Sequence, residues 1–135
     1  MTRGGFGTIK QYKSGRIRSG LEFTQACNSF FQGLAADGAK DALYRVSKAC
    51  YIEKDSPLYG SRPVLFIHDE IVCEVPISKA SEAGDELARL MRDTMSEWVP
   101  DVPIKTSIAL MDRWYKNADE QRDQNGKLTL WTASS

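Results

Sequence analysis

The chain has 135 residues, of which 41% are hydrophobic and 27% charged, the composition of one globular domain large enough to bury a core. Its 18 Lys+Arg balance its 18 Asp+Glu, so the chain as a whole is not a polycationic nucleic-acid binder. Cys27, Cys50 and Cys73 are too scattered for a disulfide framework, no CxxC pair points to zinc, and there is neither a signal-peptide pattern nor an apolar run that could span a membrane; a reduced intracellular compartment is expected.

Residues 1–23 read as a basic, glycine-rich arm, mostly loop with a short extended piece. Arg3, Lys10, Lys13, Arg16 and Arg18 stand among Gly4, Gly5, Gly7, Gly15 and Gly20, with no acid before residue 21. Such an arm suits phosphate contacts, and equally a flexible solvated terminus. From Thr24 to about Ile52 no proline intervenes, and Phe30, Phe31, Leu34, Ala35, Ala39, Leu43, Val46 and Cys50 recur at helical spacing. This predicts a long helix. Gly33 and Gly38 lower its propensity, so tertiary packing must hold it. Residues 53–63 are rich in breakers and read as loop.

Val64–Ile67 and Ile71–Val75 are predicted strands, with His68-Asp69-Glu70 at or near the turn. No Asn-Gly pair marks that turn, so its type stays open. Ser78 suits the N-cap of a second helix with the stripe Ala80, Ala83, Leu87, Leu90, Met91, Met95 and Trp98, ended by Pro100. Ile104, Ser107, Ile108 and Leu110 predict a third strand, followed by Trp114 and Tyr115. The polar tail carries an Asn125-Gly126 turn and an extended piece at Leu128–Trp131. Helix, hairpin, helix, strand and tail make an α+β fold with an antiparallel sheet. Its parts are the arm (1–23), a core (24–115) and a C-terminal tail (116–135), without internal repeats.

Three groups of residues carry possible chemistry. His68-Asp69-Glu70 presents hard oxygen ligands on a hairpin tip, and His68 is the chain's one histidine. Adjacent strand residues face opposite ways, so one carboxylate does most of any coordination. Two-metal phosphoryl transfer needs carboxylates across metals about 3.5–4 Å apart, which this hairpin alone does not provide. A solvated acidic turn is the plainer reading. Asn28 and Gln32 share a helix face. Their carboxamides suit the acceptors of the DNA minor groove, or are ordinary polar residues near a helix start. Gly15-Arg16-Ile17-Arg18 suits phosphate clamping. Asp37, Lys40 and Asp41 read as a solvated face or local ion pair, and the Met and aromatic stripe of the second helix as core.

Taken in order, Gly15-Arg16-Ile17-Arg18, the segment Ala26 to Asp37 (ACNSFFQGLAAD), the segment Val64 to Val75 (VLFIHDEIVCEV) and the segment Ala109 to Lys116 (ALMDRWYK) resemble the C-terminal end of family A, DNA polymerase I-like DNA polymerases of bacteriophage type. The resemblance runs from about residue 13 onward. It implies that His68-Asp69-Glu70 is the third motif of the palm subdomain. Asp69 is then one of two catalytic aspartates binding Mg²⁺, Glu70 an auxiliary acid, and His68 a contact to the primer end. Asn28 and Gln32 become minor-groove contacts, with Arg16 and Arg18 also on DNA, and the helix over 24–52 supports them. Bacterial members often carry Arg four residues before the Asn; here Thr24 stands there, which puts one DNA contact in doubt.

The family also needs an earlier palm aspartate and a fingers helix with Lys, Arg and an aromatic for the triphosphate and base, and the first 12 residues are too short to hold them. The expectation is a naturally split, Mg²⁺-dependent DNA-directed DNA polymerase. This chain, opening on Met1 and complete at its C-terminus, is its palm piece, inactive without a larger partner that carries fingers, thumb and the second aspartate of a two-metal site. Primer-template DNA and dNTPs are the expected substrates, no membrane is involved, and the setting is the cytoplasm of a bacterial host if phage-encoded. The alternatives are a non-catalytic DNA- or protein-binding remnant, or a deliberately cut piece of a longer polymerase. A palm piece without its neighbouring strand should leave a sheet edge unpaired.

Overall fold

The computed structural model describes residues 7–133; Arg3, Gly4 and Gly5 of the basic arm and the end of the tail lie outside the described residues. The described part of the arm is not mostly loop. Strand β1 (Gly7–Lys10) pairs antiparallel with β2 (Ile17–Leu21), Ile9 opposite Arg18 and Lys10 opposite Ile17. Gln11 closes the turn: its N–H donates to the Arg16 carbonyl at 2.7 Å, and its carbonyl accepts from the Gly15 N–H at 3.0 Å. Its buried side chain donates from Nε2 to the Phe30 carbonyl at 2.9 Å, so the hairpin is pinned to the following helix.

Helix α1 (Phe23–Tyr51) matches the predicted long helix. Glu22 and Gln25 cap it reciprocally: the Glu22 side chain accepts from the Gln25 N–H, and Gln25 Oε1 accepts from the Glu22 N–H at 3.2 Å. Its inner face keeps Val46 and Cys50 of the predicted stripe but differs from it in the first half. Phe31 is 75% exposed, and Phe30 and Ala35 also face solvent. The buried positions are Ser29, Gly33, Asp37, Gly38, Ala42, Val46, Ala49 and Cys50. Small side chains are required there because other elements come close. A Cβ at Gly38 would stand 2.7 Å from Met95 Sδ, and one at Gly33 would collide with the Gln11 carboxamide. Packing thus outweighs the propensity cost of both glycines.

Strands β3 (Arg62–Ile67) and β4 (Glu70–Glu74) form the second hairpin, a two-stranded sheet separate from the first. Pro63 sits where the register shifts, a place that tolerates its missing N–H. A 3-10 turn (Ile77–Lys79) leads into helix α2 (Ala80–Trp98). Ser78 therefore lies within that turn and is not the helix N-cap; Lys79 holds the cap position without a side-chain hydrogen bond. The predicted stripe of α2 turns inward, with Ala83 and Leu87 buried, and Gly84 and Thr94 join it. The common core is Val46, Ala49, Cys50, Leu58, Ile71, Ala83 and Leu87.

Helices α1 and α2 are also latched by polar contacts. Arg45 donates to both Glu97 carboxylate oxygens, at 2.9 and 2.6 Å, and to Asp41 at 3.2 Å, while Trp98 Nε1 donates to Asp41 at 2.9 Å. The third predicted strand does not form. Residues 103–109 run without ladder bonds, Thr106 Oγ1 donates to the Ala88 carbonyl of α2, and the segment first pairs at Leu110, with Leu130 of the tail. Its partner is the tail and not β4. The Asn125-Gly126 turn is present, Gly126 taking a φ of 79°. The fold is α+β with antiparallel hairpins.

Candidate functional site

Ile67 pairs with Glu70, so the turn between β3 and β4 is the two residues His68 and Asp69. His68 takes a φ of 55°, a left-handed conformation that a tight hairpin turn demands and that His tolerates better than most residues. Glu70 is the first residue of β4. All three residues are exposed. Below them, Ile71 is 7% exposed in the core and Phe66 packs against it, so the tip stands on anchored strands.

The two carboxylates have different surroundings. Asp69 makes no side-chain hydrogen bond or ion pair among the described residues, which leaves both oxygens available to a cation. Glu70 Oε1 accepts from Trp114 Nε1 at 3.4 Å. No group of three or more His, Cys, Asp or Glu side chains gathers as a metal site among the described residues. An exposed carboxylate suits a hard ion such as Mg²⁺, which takes one or two protein carboxylates and completes its octahedron from water and phosphates. The tip fits that donor set in part. Behind it, Cys73 of β4 lies beside Cys50, and burial first, then the neighbouring thiol, pushes the Cys73 thiol up to about 12. Both are neutral packing residues at neutral pH.

Asn28 and Gln32 are exposed one turn apart on α1. With Arg18, Leu21, Gln25 and Ser29 they line a shallow depression. Arg18 is held there, its Nη1 donating to Ser29 Oγ at 3.0 Å. Arg16 is drawn elsewhere: its Nη2 lies 2.9 Å from Asp37 Oδ1, and Ser14 Oγ donates to Asp37 Oδ2 at 2.6 Å. Asp37 is 9% exposed, so it is not on a solvated face; it ties the first hairpin to α1. The two arginines therefore sit in different surroundings. The sequence reading passed over Gln11, gave Asp37 a solvated-face or local ion-pair role in place of its link to Arg16 and Ser14, and named Trp114 without a role, its only signal being an indole in a polar stretch.

A profile of DNA polymerase family A matches residues 7–116. The DNA polymerase theta of Drosophila melanogaster is 33% identical over 94 residues, covering 67% of this chain and 4% of that protein. The DNA polymerase I of Helicobacter pylori is 30% identical over 110 residues, covering 81% of this chain and 11% of the relative. For Lactococcus lactis DNA polymerase I the identity is 35% over 92 residues, with 67% and 10% covered. The chain thus spans 4% to 11% of the length of these relatives. No solved structure matches it.

Proposed function

The chain belongs to DNA polymerase family A, and from that premise we propose that it is the palm portion of a DNA-directed DNA polymerase of bacteriophage type, split so that another polypeptide supplies the remainder. The observation that carries this reading is the His68-Asp69 turn: an exposed aspartate, without a side-chain partner among the described residues, lifted on a core-anchored hairpin inside the family-matched region. The parts keep the roles of arm (1–23), palm core (24–115) and tail (116–135).

In this reading Asp69 offers its carboxylate to Mg²⁺, and Glu70 stands beside it as the auxiliary acid. His68, beside Asp69 in the turn, faces the primer end. Asn28 and Gln32 donate to purine N3 and pyrimidine O2, acceptors that every base pair shows in the minor groove, and so hold duplex without reading sequence. Arg18 lines the same depression and in this reading takes a phosphate. Bound Mg²⁺ supplies charge stabilisation for the attacking and leaving oxygens of the phosphoryl displacement. The second aspartate of that two-metal site and the residues that bind the dNTP come from the partner chain.

The test is reconstitution. Neither polypeptide alone should extend a primer on a template with dNTPs and Mg²⁺, and the mixture should. Asp69→Ala should abolish extension while the two chains still co-purify. Full activity of Asp69→Ala sinks the catalytic assignment. DNA retention without extension by any mixture favours a non-catalytic remnant.

A further inference from the structure

The tail beyond residue 116 lies outside the family-matched region, yet it is packed. Leu128 is 2% exposed. Its seat is Gly84 on the buried face of α2, where a Cβ would stand 2.6 Å from Leu128 Cδ2. Glycine is a poor helix former, and tail docking gives a reason for one here. Arg122 fixes the turn from outside, donating to Asp85 Oδ1 at 2.7 Å and to the Gly126 carbonyl at 2.9 Å.

From Leu128 the tail returns beside residues 110–115. Leu110 and Leu130 form a parallel bridge, and the Trp131 N–H donates to the Leu110 carbonyl at 2.7 Å. The Trp131 ring stacks on Tyr115, with centroids 5.1 Å apart and 15° between planes. The neighbouring residue, Trp114, is the one that donates to Glu70 Oε1. A continuous set of contacts therefore runs from Gly84 through the tail to the carboxylate beside Asp69.

We propose that Trp114 is a positioning residue for Glu70, set in place by the tail through Tyr115 and Leu110. The inference rests on reading the hairpin as the carboxylate turn of a nucleotidyl transferase. Its chemical logic is the indole N–H, which donates and cannot accept. It engages one carboxylate oxygen of an exposed glutamate, at 3.4 Å, and leaves the other without a partner among the described residues. Trp114, Tyr115 and Glu70 are exposed and Trp131 is half-buried, so loss of either indole should appear in rate before it appears in folding.

Two measurements test this. In the ¹⁵N-labelled 135-residue chain, the Trp114 indole resonance is assigned by its loss in Trp114→Phe. Glu70→Gln and Trp131→Ala should each shift it, and Trp131→Phe, which keeps a stacking ring, should not. In the reconstituted polymerase, Trp114→Phe and Trp131→Ala should lower kcat about three- to tenfold, the worth of one ordinary hydrogen bond and less than a short one to a charged group because this contact is long and exposed, and change KM for dNTP less than about twofold. Trp131→Phe should restore kcat. An indole resonance blind to Glu70→Gln, or unchanged kcat in both variants, overturns the proposal. If the wild-type assembly extends no primer while the indole still answers to Glu70→Gln, the polymerase reading has failed and the positioning contact is supported on its own.

Discussion

Arg16 and Arg18 are one residue apart, and their substitutions should separate cleanly into stability and DNA affinity. Arg16 faces Asp37, whose carboxylate is 9% exposed and is shared with Ser14. Removing the guanidinium leaves a nearly buried carboxylate with a single hydroxyl donor. A fully buried broken pair costs about 3–5 kcal/mol, but the Arg16 side chain is 39% exposed, and water can partly replace it. We therefore expect Arg16→Ala to cost about 1–2 kcal/mol, at or just below the low end for one charged hydrogen bond, as the exposure of Arg16 requires. Among the described residues Arg18 bonds only Ser29, at the surface, and Arg18→Ala should cost less than about 0.5 kcal/mol. Urea unfolding of the 135-residue chain measures both, with an unchanged m-value as the check that the end states are the same. DNA binding should show the reverse order. Arg18→Ala should flatten the dependence of log K on log salt by about 0.9, the loss of one phosphate contact. Equal stability losses, or an Arg16→Ala protein as stable as the wild type, would refute the claim that Asp37 holds Arg16 for the fold.

Phe31→Ala should change stability by less than about 0.5 kcal/mol, because the ring is 75% exposed, whereas Val46→Ala in the core should cost about 1–3 kcal/mol by the same unfolding assay. Leu128→Ala should cost about 2 kcal/mol and release the tail, read as new protease cleavage after residue 116. The folded chain holds the Cys73 proton more tightly than the unfolded chain, so stability is full below pH 9.0 and falls as pH rises towards about 12, by up to about 1.4 kcal/mol per pH unit. Cys73→Ala should flatten that part of the alkaline stability curve, and an unchanged slope would contradict it. The β3 residues Val64, Leu65 and Ile67 are 52%, 42% and 38% exposed on a strand that, among the described residues, pairs only with β4, so the chain alone should self-associate with concentration in sedimentation, and Leu65→Lys should reduce this.

Both helices and the β3–β4 hairpin were legible because proline-free helical spacing and β-branched runs are strong local signals. What failed was the orientation of the first half of α1, since Val46 and Cys50 of the predicted stripe are buried. Hydropathy points Phe30 and Phe31 inward, but the buried face runs through Ser29, Gly33, Asp37, Gly38 and Ala42. Close approach selects for small size there, and a hydrophobic pattern does not register size. The first hairpin was missed for a related reason: it is short and polar, and Gln11 and Asp37 anchor it through partners distant in sequence. The third strand failed differently. Alternation at 104–110 says that the chain is extended, but not which edge it meets, and it meets the tail. At the candidate site the sequence located the turn. It could not show that Trp114 would reach Glu70, 44 residues away.

A two-stranded hairpin is at best marginally stable in water, and the candidate carboxylates ride on one. What fixes them is what the hairpin leans on: Phe66 and Ile71 in the core with Val46, Cys50 and Leu58, and Trp114 at the tip. Phosphoryl transfer by positioned charge tolerates little misplacement, since small displacements far from the chemistry can cost orders of magnitude in rate. In the proposed function, the precision of Asp69 is therefore a property of the α1–β3–β4 core, and that of Glu70 a property of the tail as well. The two carboxylates are adjacent in sequence but held by different parts of the fold. A lesion in the core should disturb both, whereas a lesion in the tail should disturb Glu70 and leave Asp69 in place.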